Sequence, residues 1–186
     1  MKLIATLSLV VCLAAAAFAE GPVPRRANEF TITRSTGAEQ LYKNSRGKVV
    51  VVQFLYTTCI HCQETARMLS KLEADYKSRG LEVLGVAFNP EARDVAVIQD
   101  FKSANGVTFP VGSAPLESVL GYLGISVMER FVVPQILIVD RAGMIRAQSA
   151  PLGSPELQDE EHLRTFLGTL LKERAIEMKK PGATGR

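Results

Sequence analysis

The sequence predicts an α/β domain, a mixed central sheet with helices on both faces and a helix–strand insertion ahead of Val133 and Pro134. Three observations predict it. Strand-like and helix-like signals alternate along the chain with short connections and no internal repeat. Two runs, 48–56 and 81–88, are almost wholly apolar and rich in β-branched residues, as strands buried on both faces are. The turn Asp140-Arg141-Ala142-Gly143 separates two short apolar runs, the signature of an antiparallel hairpin. Composition agrees. With 186 residues, 47% hydrophobic and 22% charged, the chain is neither a disordered polymer nor a collagen-like rod. A net charge of only +3 offers no electrostatic case for nucleic acid as a partner.

Taken in order, Met1 and Lys2 give a short basic start, and residues 3–17 are apolar apart from Thr6 and Ser8. Ala17-Phe18-Ala19 follows as a small-x-small cleavage site. These features predict a signal peptide over 1–19, cleaved after Ala19, and export of the rest, most simply to a bacterial periplasm. The apolar run is shorter than the ~20 residues a bilayer span needs, so no transmembrane segment is expected in the mature chain. Cys12 is lost with the leader. Residues 20–28 are expected to form a flexible arm, 29–180 the folded domain and 181–186 a disordered tail.

Within the domain, residues 30–33 alternate weakly, as an edge strand does. The buried strand over 48–56 runs into a helix over 59–79, with Cys62, Ala66, Leu69, Leu72 and Tyr76 on one face and Gly80 as its stop. A second buried strand covers 81–88. Val97, Ile98, Phe101 and Ala104 mark a helix closed by Gly106, and a short segment 107–111 leads to a brief helix from Pro115 to Gly124. Strands over 135–139 and 144–147 flank the hairpin turn. The last helix spans 159–177, with Leu163, Phe166, Leu167, Leu170 and Leu171 as its buried stripe.

Chemistry gathers where the first buried strand meets its helix, at Thr57-Thr58-Cys59-Ile60-His61-Cys62. A disulfide three residues apart closes almost no loop and removes little entropy from the unfolded chain, so stability does not account for the pair. One helical turn brings the two Cα atoms to roughly 5 Å, within disulfide reach, so the bond can open and close without unfolding the chain. Cys59 sits at the helix start, where unpaired backbone N–H groups and the macrodipole favour a thiolate. His61, when protonated, adds positive charge beside it. Cys59 is therefore the expected nucleophile and Cys62 the resolving thiol, with His61 tuning the pair.

These residues resemble the thioredoxin-like superfamily, and more closely its exported TlpA/ResA-like and redoxin (AhpC/TSA-type) branch, over about residues 28–175. Three segments carry the resemblance: 48–62, similar to the family's strand and active-site helix; 133–140, similar to its cis-proline segment; and 140–145, similar to the hairpin that follows. The resemblance implies a thiol-disulfide oxidoreductase acting on protein thiols or disulfides through a mixed disulfide, in redox homeostasis or a cytochrome c maturation-like role, with a membrane redox partner. It implies that Val133 and Pro134 face the cysteines, Pro134 in cis, and bind an extended substrate segment. No metal or organic cofactor is expected. The chain departs from the family at Gln53, where thioredoxins carry a buried acid, at Thr58 in place of Trp, at Ile60 in place of Pro, and in a longer stretch over 126–132. A His between the cysteines resembles oxidising members, whereas the frame resembles reductants.

Two rivals share the fold. A peroxiredoxin-like peroxidase places Pro seven and Thr three residues before its reactive cysteine; those positions hold Val52 and Tyr56 for Cys59, and Leu55 and Cys59 for Cys62. A Sco-like copper chaperone has three residues between its cysteines and a distant His. Here the spacing is two, and His162 is read as an exposed first-turn residue.

Overall fold

The computed structural model describes residues 23–173. The expected leader over 1–19, with Cys12, and the tail over 181–186 lie outside the described residues, and the helix expected over 159–177 ends earlier, at Leu170, with Leu171 as its C-cap. Eight strands form one sheet: β1 (Arg25–Arg26), β2 (Thr31–Arg34), β3 (Gly37–Gln40), β4 (Val49–Leu55), β5 (Leu81–Ala87), β6 (Val111–Ser113), β7 (Gln135–Val139) and β8 (Met144–Gln148). Their order across the sheet is β1-β8-β7-β4-β5-β6-β2-β3. Four helices complete the fold: α1 (Ile60–Tyr76), α2 (Val95–Asn105), α3 (Leu116–Leu123) and α4 (Glu160–Leu170).

The mixed sheet follows from the two valine-rich runs. β4 pairs parallel with β5 and antiparallel with β7, and every residue of β4 is buried because helices cover both faces. Val49, Val51 and Leu55 point toward α1, α2 and α4, where they meet Leu69, Leu72, Ile98, Phe101, Leu163 and Leu167. Val50, Val52 and Phe54 point the other way, to Leu120 and Leu123 of α3 and to Phe30 and Leu41. α1 is stopped by a short 3₁₀ turn over Lys77–Arg79 and by Gly80 at φ 91°, a backbone conformation that favours glycine.

Several elements differ from expectation. The segment read as an arm carries β1, whose two arginines pair with Ile145 and Met144 on the outer edge of β8. The weak strand at 30–33 is half of a hairpin with β3, whose Gly-Ala-Glu-Gln sequence has no apolar alternation to reveal it. The short segment over 107–111 becomes a strand only at its last residue, Val111, after Pro110, which has no N–H for a ladder. α1 ends at Tyr76 and not Arg79, and α4 opens one residue later than expected, with Asp159 accepting from the His162 N–H at 2.8 Å as its cap. No helix of the described residues is long and apolar enough to cross a membrane.

Candidate functional site

The end of β4 and the start of α1 place both sulfurs. Cys59 is the N-cap of α1, with an extended backbone (φ −81°, ψ 122°), and its Sγ accepts from the Cys62 N–H at 3.4 Å. Both cysteines are free thiols. Cys59 is half-buried, whereas Cys62 is fully buried in the core facing α1. Burial, and then the contact with Cys59, push the Cys62 thiol far above its ordinary value of 9.0, with the Tyr56 backbone opposing weakly. The two sulfurs are thus unequal by position: one can be met from outside, and the other is reached only through the first.

The loop that delivers Cys59 is pinned by side chains the sequence did not single out. Asn89, itself buried, accepts from the Thr57 N–H at 3.0 Å and donates to Thr57 Oγ1 at 3.0 Å and Glu91 at 2.9 Å. Gln63 donates to the Thr57 carbonyl at 3.1 Å. Beneath the helix, Gln53 Nε2 donates to the Cys62 carbonyl at 2.8 Å, while its Oε1 meets no donor among the described residues. The position holds an amide, so no carboxylate lies there to take a proton from Cys62.

The Val133–Pro134 bond is cis, and the Cys59 thiol lies 3.8 Å from the Val133 carbonyl, to which it donates. The fold therefore brings Cys59, Cys62, Val133 and Pro134 together. His61 stands apart from the sulfurs: its ring is 73% exposed and lies 3.3 Å from Glu64. Ile60, next to Cys59, Val132, next to Val133, and Leu152 are apolar and exposed, at 57%, 44% and 71%. Val132 donates to the Pro151 carbonyl at 2.9 Å, which sets Leu152 beside it. The stretch over 126–132 turns on the Ser126 carbonyl and Glu129 N–H and leaves Val127 and Met128 projecting, at 70% and 90% exposure. Tyr56 meets Phe88 edge-on, with ring centroids 4.6 Å apart, and Phe88 meets Phe131 at 6.2 Å. Among the described residues no group of three His, Cys, Asp or Glu side chains is gathered as a metal would require.

Sequence reasoning missed Gln63, Asn89 and Gln135. The one available signal for Gln135 was a polar residue opening an otherwise apolar strand, the same anomaly that Gln53 presents in β4.

The AhpC/TSA family matches residues 23–148. The thiol-disulfide oxidoreductase ResA of Bacillus thuringiensis (strain Al Hakam) is 25% identical over 126 residues, covering 68% of each chain. ResA of Geobacillus kaustophilus is 26% identical over 120 residues, covering 64% of each. Among solved structures, a thiol:disulfide interchange protein from Bacteroides sp. superposes with a TM-score of 0.64 at 18% identity, covering 84% of this chain and 93% of that one. A thioredoxin family thiol:disulfide interchange protein from Chlorobium tepidum TLS gives 0.63 at 18% identity, covering 81% and 99%. At such identities the structural likeness establishes a thioredoxin-like fold.

Proposed function

Because the chain belongs to the AhpC/TSA family, we propose that it is an exported thiol-disulfide oxidoreductase that exchanges a Cys59/Cys62 dithiol for a disulfide with protein substrates. One observation carries this: a half-exposed thiol at a helix start, one turn from a buried thiol, beneath the carbonyl of a cis X-Pro bond. The similarity to ResA supports the same chemistry. The leader-like residues 1–19 support export to a periplasm-like space.

In the reducing direction, the Cys59 thiolate attacks a substrate disulfide. A Cys59–substrate S–S bond forms as the substrate S–S bond breaks, and the departing thiolate takes a proton. Cys62 then attacks Cys59 Sγ and gives its own proton to the second substrate sulfur as that leaves. The protein ends as a disulfide and the substrate as two thiols; oxidation of a substrate is the reverse. Burial keeps Cys62 protonated until the mixed disulfide forms, so it does not compete for substrate. The N-cap position of Cys59, whose Sγ accepts from the Cys62 N–H, favours the attacking thiolate. Val133 and Pro134 present backbone to an extended substrate segment. A membrane redox partner returns the electrons, and redox homeostasis or a cytochrome c maturation-like role is the setting in which such exchange serves.

Trapping decides the matter. Cys62→Ser exposed to an extracytoplasmic extract should accumulate mixed disulfides through Cys59 that dithiothreitol releases. A wild-type protein whose sulfurs ignore protein disulfides, or that turns over hydrogen peroxide faster than disulfides, would overturn it.

A further inference from the structure

The residue after the cis-proline carries more than its strand position requires. Gln135 is fully buried. Its Nε2 lies 2.8 Å from the Val132 carbonyl, 3.1 Å from the Ala150 carbonyl and 3.2 Å from the Pro151 carbonyl. Its Oε1 meets no donor among the described residues. An amide flipped the other way would set oxygen against three carbonyl oxygens, so the orientation is fixed by chemistry. All of the hydrogen bonding of this side chain goes to one task, joining the loop before Pro134 to the turn after β8, and a buried acceptor is left unpaired to do it.

That loop has few other ties. Pro134 has no N–H, and the β7–β8 ladder resumes only at Ile136, whose N–H goes to Ser149 Oγ at 2.9 Å and whose carbonyl accepts from the Ser149 N–H at 2.8 Å. Ahead of Pro134, the Val132 N–H donates to the Pro151 carbonyl at 2.9 Å. On its reverse side, Gly153 approaches so closely that a Cβ there would lie 3.2 Å from Val132 Cγ2. The clamped segment is also the one whose Val133 carbonyl sits 3.8 Å from Cys59 Sγ.

We propose that Gln135 is a positioning residue for disulfide exchange: its carboxamide holds residues 132–134 so that the Val133 backbone is already placed against Cys59 when an extended polypeptide arrives. This rests on the oxidoreductase reading above. Pre-placed backbone spares a peptide the ordering of that loop, whereas a reagent that offers sulfur or carbon without backbone gains nothing from it.

The experiment compares reduced wild-type protein with Gln135→Met, which is unbranched, close in volume and without donors. Two probes are used: a disulfide-linked peptide, which presents backbone and sulfur, and iodoacetamide, which presents only an electrophilic carbon. The second-order rate with the peptide should fall by about 10-fold, while that with iodoacetamide changes by less than about twofold. Equal losses toward both probes, or no loss toward the peptide, overturn the clamp. Gln135→Asn keeps an amide but is one methylene short, so it should show the same split and serves if the Met variant does not fold. A wild-type protein no faster with the peptide disulfide than free cysteine at the same pH brings down the oxidoreductase reading itself; a fast wild type without the split brings down the clamp alone.

Discussion

The two ends of the central sheet are built to opposite rules. At the end away from the cysteines, Arg141 donates to the carbonyls of Gly47, Arg79 and Leu171 at 2.9, 2.7 and 3.3 Å, tying three segments together. A Cβ on Gly80 would lie 2.9 Å from Arg141 Nη1, which a side chain so flexible could yield, whereas the φ of 91° is what calls for glycine there. Arg146 joins Asp140 and Glu173 at 3.0 and 2.8 Å beside it. A cleft of about 180 Å³ lies among Tyr42, Arg46, Asp140 and Gly143, and neither cysteine lines it. The Arg141 end is tied together by polar groups, whereas at the cysteine end Ile60, beside Cys59, faces solvent, which suits a macromolecular substrate met across a surface.

The sharpest way to break that contrast is to alter one group at each end. Cys59→Ala should lower exchange with a peptide disulfide by about three orders of magnitude or more, whereas Arg141→Ala should leave that rate within about twofold. A comparable loss from Arg141→Ala would show that the ends are not separate. Next in size is the inequality of the two sulfurs. Native reduced protein treated with iodoacetamide at pH 8 should gain one adduct, on Cys59, with a second only after denaturation, as mass spectrometry would read.

The buried thiol also sets a pH dependence. Cys62 is raised in the fold by burial, so its contribution to stability is complete below its ordinary 9.0 and is lost as pH climbs above that. Tyr42 and Tyr122, also raised by burial and joined hydroxyl to hydroxyl at 2.8 Å, act in the same direction above 10. Urea unfolding of Cys62→Ala should accordingly show a flatter decline between pH 9 and 11 than wild type.

Arg141→Ala should then appear in stability alone, with a loss of about 1–3 kcal/mol from the unpaired carbonyls and a melting temperature lower by about 3–8 °C. The smallest effect is expected of His61→Pro. Proline is tolerated in the first turn of α1, and the Glu64 pair it removes is exposed, so stability should stay within about 1 kcal/mol. The redox potential should become more negative by about 30 mV or less, as equilibration with glutathione would measure.

Much of this was legible in the sequence because the strongest signals are local. The valine run of β4 can only be a strand covered on both sides, and CxxC at its end fixes where the thiols lie. The hairpin of β7 and β8 announced itself through Asp140 to Gly143. What stayed hidden was made of polar residues whose partners are distant in the chain: Asn89 holding Thr57, Gln135 holding Ala150 and Pro151, and Arg141 holding Gly47 and Leu171. A carboxamide or guanidinium carries no periodicity, and its partner carbonyls are invisible to a residue pattern. β1 and β3 escaped for a related reason, since an outermost strand needs only backbone to pair.

Those outermost strands have a consequence of their own. One margin of the sheet is closed by two arginines and the other by Gly37, Ala38, Glu39 and Gln40, with Glu39 paired to Arg34 at 2.7 Å. Neither offers the long, flat, oily border on which a foreign chain could zip itself down by main-chain bonding. A polypeptide that meets either margin thus finds no border on which to stack.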